Sequence, residues 1–156
     1  MTVRAVLVAL LVSAVACGGG ASSTPTPIQT QPSAEEASKP SVEITYPAER
    51  GDPLPSGDVL VALTVRAFGI VDEIGSKPQD GKGHVVYYLD VPEIPSRPGA
   101  SALAEQTGRS AASARTSHTW TDVAPGRHSL GVQLVNNDDT PLEPPVTDEI
   151  EIVVGG

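Results

Sequence analysis

The chain has 156 residues, with 15 Pro, 15 Gly and only 3% aromatics, so it holds one ordinary domain whose core must come mostly from Val, Leu and Ile. Its 10 basic residues stand against 19 acidic ones, a formal charge of −9, which argues against nucleic acid or anionic lipid as the main partner. The single cysteine, Cys17, excludes an internal disulfide.

Residues 1–16 read as a secretory signal. Arg4 supplies a basic start, an apolar run extends from Ala5 to Val15, and small residues Ala14 and Ala16 precede Cys17. The run falls short of the ~20 apolar residues that a spanning helix needs. The stretch Ser13-Ala14-Val15-Ala16-Cys17 resembles a bacterial lipobox, with Ala14 where that motif favours Leu. The resemblance implies a diacylglyceryl thioether on Cys17, cleavage before it and acylation of the new amino terminus. Cleavage there would remove one basic residue and take the formal charge from −9 to −10. Residues 17–40 follow as a tether. From Gly18 on they are mainly Gly, Ser, Thr, Pro, Gln and Ala, with Glu35, Glu36 and Lys39 the charged residues and Ile28 the only large aliphatic, so they cannot bury a core. Its reach lies between about 25 Å as a coil and about 70 Å as polyproline.

Residues 41–156 are expected to form the folded domain. Val42, Ile44 and Tyr46 alternate with Glu43 and Thr45 in a first strand ended by Pro47. Asp58 to Phe68 is a second, with Val59, Val61, Leu63 and Val65 inward. After a loop from Gly69 to Gly83, the run from His84 to Val91 forms a third; Val85, Tyr87, Leu89 and Val91 share one face, His84, Val86, Tyr88 and Asp90 the other. Pro92 to Ser110 is a long irregular segment. One strand from about Ala111 should carry Ala112, Ala114, Thr116, His118 and Trp120 on a single face. A turn at Ala124-Pro125-Gly126 leads into a strand in which His128, Leu130, Val132 and Leu134 alternate with Ser129, Gly131, Gln133 and Val135. Asn136 to Pro145 reads as a loop, and Ile150, Ile152 and Val154 mark the last strand. Short strands at this spacing predict an all-β, immunoglobulin-like antiparallel sandwich of about seven strands.

Three groups of residues carry a resemblance: the segment His84 to Asp90, Pro125-Gly126-Arg127-His128, and Pro141-Leu142-Glu143-Pro144-Pro145-Val146. Together they resemble an uncharacterised family of bacterial exported domains with an immunoglobulin-like fold, over roughly residues 41–154. The resemblance implies that fold and no activity.

Three histidines raise a copper or zinc reading. If the third and next-to-last strands pair antiparallel, His84 and His128 lie at opposite ends, about 20 Å apart. His84 should instead lie within ~10 Å of the carboxylates of Asn136-Asn137-Asp138-Asp139. That makes His84, Asn137, Asp138 and Asp139 the metal candidates, for weak Ca²⁺ through oxygens or for a transition metal with His84 added. The competing reading is an Asx turn whose side chains cap the loop backbone, and it is preferred; no cofactor is expected. His118 and His128 are read as packing residues. No nucleophile-elbow motif, phosphate-binding Gly loop or carboxylate pair in a cleft is present, which argues against an enzyme. The expectation is a non-catalytic binding or interaction module, anchored by Cys17 to the outer face of a bacterial cell membrane, with an envelope protein as partner; the rival is a metal-handling envelope protein.

Overall fold

The computed structural model describes residues 39–49, 51–103 and 107–156. The proposed signal segment, Cys17 and all but the last two residues of the tether lie outside them. Among the described residues there are eight strands and no helix: β1 (Ser41–Tyr46), β2 (Gly57–Arg66), β3 (Gly69–Ile70), β4 (Lys82–Leu89), β5 (Arg109–Ser113), β6 (Ser117–Val123), β7 (Gly126–Val135) and β8 (Pro141–Val154). They form two sheets. One has the order β1-β2-β6; the other has the order β3-β4-β7-β8, with β5 also on β4. Apart from the short parallel β3–β4 pair, all strand pairings are antiparallel. Three strands facing the β5-β4-β7-β8 ladder make the all-β, immunoglobulin-like sandwich that the strand spacing predicts.

The alternation in the sequence explains the main core. Val59, Val61 and Leu63 of β2 and Trp120 of β6 face Val85, Tyr87 and Leu89 of β4 and Leu130, Val132 and Leu134 of β7. Period-2 patterning puts each set on one face of its strand. The open side between β1 and β8 is tied by a hydrogen bond from the Ile44 amide to Asp148 Oδ2 (2.7 Å). At the far end of β8, the Leu54 amide donates to the Val153 carbonyl (2.9 Å) and the Gly155 amide to the Leu54 carbonyl (2.7 Å).

Two elements differ from the sequence expectation. The single strand expected from Ala111 to Trp120 is two strands in different sheets. β5 pairs with β4, and β6 pairs with β2. The crossing is sharp: the Arg115 carbonyl accepts the Tyr87 hydroxyl of one sheet (2.8 Å), and the Thr116 carbonyl accepts the Leu63 amide of the other (3.0 Å). Ser113 Oγ accepts the Arg115 amide (3.2 Å), a local side-chain bond that diverts the backbone from the ladder. The run of Ala and Ser has the right period but no bulky side chain to hold it in one sheet. The expected loop at Asn136 to Pro145 is also shorter, because β8 already begins at Pro141. Leu134 faces Val146 while Val135 faces Pro141, so residues 142–145 bulge from the ladder. Pro144 and Pro145, which have no amide hydrogen, sit in that bulge on an edge strand.

The outer face of β4–β7 is covered as well. Val86, Tyr88 and Val135 pack with Val91 and Ala102 in a second small core, flanked by Ile94 and Leu103. The segment 91–103 therefore lies over the sheet. The Tyr88 hydroxyl donates to Gln133 Oε1 (2.7 Å), with the Ala102 carbonyl 3.1 Å away, and Gln133 Nε2 donates to the Pro95 carbonyl (2.9 Å).

Candidate functional site

His84 enters β4 opposite Val135, the last residue of β7. Burial of both faces of β4 leaves its side chain with no exposed surface. Beyond Val135 the chain turns through 136–140. The Asn136 amide donates to the Thr140 carbonyl (2.8 Å), the Asp139 amide to the Asn136 carbonyl (3.1 Å), and Asp139 takes a left-handed backbone at φ 64°. Asx residues tolerate that conformation. The turn delivers Asp139 Oδ1 to within 2.9 Å of His84 Nε2.

The four candidates do not converge. Only Asp139 reaches His84. Asp138 Oδ1 accepts the amide (3.2 Å) and hydroxyl (2.7 Å) of Thr140, capping its own turn. Asn137 is fully buried, and its Nδ2 turns toward Glu73 Oε2 and the Lys77 carbonyl, both 3.4 Å away. Among the described residues, no three His, Cys, Asp or Glu side chains come close enough to hold a metal ion. What the site does gather is three irregular segments. The Gly75 amide of segment 71–81 donates to the Asn137 carbonyl (2.6 Å), and the Ala102 amide of segment 91–103 donates to the Asp139 carbonyl (2.7 Å). Glu73 is itself held by a hydrogen bond from Gln79.

Because Nε2 faces a carboxylate, it carries the proton. Among the described residues Nδ1 has no hydrogen-bond partner, and neither has Asn137 Oδ1. Burial lowers the His84 pKa from its ordinary value; the hydrogen bond to Asp139 and the charges of Asp139 and Asp138 oppose that without overcoming it. The Tyr88 hydroxyl is pushed up, by burial first and then by the Asp139 charge.

His128 lies beyond the opposite end of the β4–β7 ladder, which runs from His84–Val135 to Leu89–Leu130. Its Nδ1 is 2.8 Å from Asp90 Oδ2 and its Nε2 is 2.8 Å from the Ala124 carbonyl. Both partners only accept, so this geometry favours the ring with a proton on both nitrogens. Partial burial lowers its pKa, but the Asp90 bond, the Ala124 carbonyl and the Asp90 charge together raise it. Asp90 was missed as a partner by sequence reasoning. It holds a left-handed backbone (φ 56°), and its Oδ1 accepts the Ser129 amide (3.1 Å). His118 stacks between Tyr87 (centroids 5.2 Å) and Trp120 (4.5 Å, edge-on), with the Arg109 guanidinium 5.0 Å from the Trp120 ring centroid. Its pKa is lowered by burial and then by the Arg109 charge. Among the described residues, neither carboxylate-bound histidine has a hydroxyl on its second nitrogen, the arrangement that activates a nucleophile.

No family model matches the chain, and no curated protein does. Among solved structures, the chain is similar to the fibronectin(III)-like modules of Clostridium thermocellum CbhA, at 20% identity and a TM-score of 0.43, over 75% of this chain and 47% of that one. The match thus spans less than half the length of that structure's chain.

Proposed function

We propose that this chain is a lipid-anchored, extracytoplasmic interaction module of a bacterial cell membrane, without catalytic activity. The observation that carries the reading is the apolar run from Ala5 to Val15 ending at the chain's only cysteine, Cys17, ahead of a segment too polar to fold on its own. Such an order of parts holds a folded domain off a membrane surface. The likeness of residues 41–154 to exported immunoglobulin-like domains agrees with it. A sandwich whose histidines are engaged in structural contacts also fits a binding role better than a hydrolytic or transfer reaction. The partner under this reading is an envelope protein.

The test is metabolic labelling of cells with a clickable fatty acid, wild type against Cys17→Ser. Labelled wild type in the membrane fraction and unlabelled, released variant support the anchor. Equal labelling, or equal membrane retention, overturns it.

A further inference from the structure

We propose that the His84–Asp139 contact is an acid-sensitive latch: when His84 takes up a second proton, segments 71–81, 91–103 and 136–140 come apart from one another while the sandwich beneath them stays folded. The geometry carries the argument. One side-chain bond, Nε2–H to Asp139 Oδ1 at 2.9 Å, ties to β4 the turn that both other segments use as their hydrogen-bond acceptor. Gly75 donates to the Asn137 carbonyl and Ala102 to the Asp139 carbonyl. Protonation places a new N–H on Nδ1, in a fully buried ring whose Nδ1 has no hydrogen-bond partner among the described residues. A buried donor without an acceptor is costly, and exposure to water relieves it.

Among the described residues the charged and titratable neighbours are few. From the turn, Asp139 and Asp138 favour the cation. From segment 71–81, Glu73 and Lys77 reach the site only through Asn137. From β4 itself, Tyr88 interacts with Asp139. Segment 91–103 meets Asp139 through the backbone amide of Ala102. Burial outweighs the two carboxylates, so His84 is neutral in the closed form. The sign follows. A group whose folded pKa lies below its unfolded value of about 6.5 contributes stability that is complete above that value and lost as pH falls through the folded pKa. The latch is therefore closed at neutral pH and opens in acid. It does not depend on the anchored reading, although an exported domain would meet the pH of its surroundings directly.

The test is amide exchange by NMR on the full-length chain, corrected for intrinsic rates, between about pH 7.5 and pH 5, the range in which histidines titrate. The reporters are the Gly75 and Ala102 amides, and the Tyr87 and Val132 amides in the β4–β7 ladder are the internal reference. In wild type the reporters should lose protection relative to the reference, by up to about tenfold per pH unit, the limit for a single linked proton. In His84→Gln, whose amide can still donate to Asp139 but cannot titrate, the ratio should stay flat. A flat ratio in wild type, or the same fall in the variant, overturns the latch. Should the variant fail to fold, the ring resonance of His84 in wild type decides: a titration midpoint at or above about 6.5 overturns it, and a lower midpoint with loss of reporter protection supports it.

Discussion

Gly83→Ala tests the register at the His84 end. Gly83 is buried, and a Cβ there would lie 2.0 Å from the Val135 carbonyl oxygen and 3.0 Å from Phe68 Cζ. Ordinary contact begins near 3.4 Å, so β4 and β7 must part by about 1.4 Å. The obstacle is backbone, and no rotamer change removes it. Overpacking of this kind costs about 1–3 kcal/mol, against ~5–15 kcal/mol for a whole domain, so the protein should fold but melt earlier. At this size each kcal/mol lowers Tm by roughly 4 °C or more. Gly131→Ala is the control. Its Cβ would meet Ile94 Cδ1 at 2.8 Å, the far end of a flexible side chain that can swing away, and should cost less than about 1.5 kcal/mol. Urea unfolding of both variants measures the difference. The Gly83 variant should also weaken the His84–Asp139 bond, because His84 and Val135 are direct partners. A Gly83→Ala loss no larger than that of Gly131→Ala would refute the register and with it the placement of His84.

At the opposite end, Asp90→Asn should remove a pH-dependent contribution without disturbing the turn, since Asn tolerates the left-handed backbone of Asp90. The raised His128 pKa means that its stabilisation is complete below the unfolded value and lost as pH rises through the folded pKa, so the stability gap between wild type and variant should be larger at about pH 5.5 than at about pH 8.5; an equal gap at both would show that His128 is not charged in the fold. Trp120, only 3% exposed, should emit as a buried indole, and Trp120→Ala should cost about 3–5 kcal/mol; emission at the water-exposed wavelength in the native state would contradict its place between the sheets.

Much of the sandwich was legible because its strands alternate. Val59, Val61 and Leu63, and again Leu130, Val132 and Leu134, announce a buried face by period alone, and both sets lie in the core. The sheet change at Ala114 to Thr116 was not legible, because small residues continue the period across a bend. The covering of β4 had a signal that went unused. His84 to Leu89 reads His-Val-Val-Tyr-Tyr-Leu, apolar or aromatic on both faces after the histidine, which is the pattern of a strand buried on both sides. Segment 91–103 supplies the second cover, through Ile94, Ala102 and Leu103.

The approach of His84 to the late turn followed from strand pairing, but its single partner did not. Asp138 and Asp139 are adjacent and chemically alike, and the turn, with its left-handed backbone at Asp139, sends the Asp139 carboxylate inward while Asp138 caps Thr140. The Asp90–His128 pair was hidden for a similar reason: its partners are 38 residues apart, and the β4–β7 register brings them together. The result is two aspartate–histidine pairs at opposite ends of one ladder with opposite pKa shifts, His84 lowered because it is fully enclosed and His128 raised because both its nitrogens face acceptors. Their pH dependences oppose each other. Acid removes the contribution of His84, and base removes that of His128. The two windows lie on opposite sides of the ordinary histidine value of about 6.5, so a global stability curve should pass through a maximum near it, with His84 setting the acid limb and His128 the alkaline limb. Deleting one pair should therefore remove its own limb and leave the other in place.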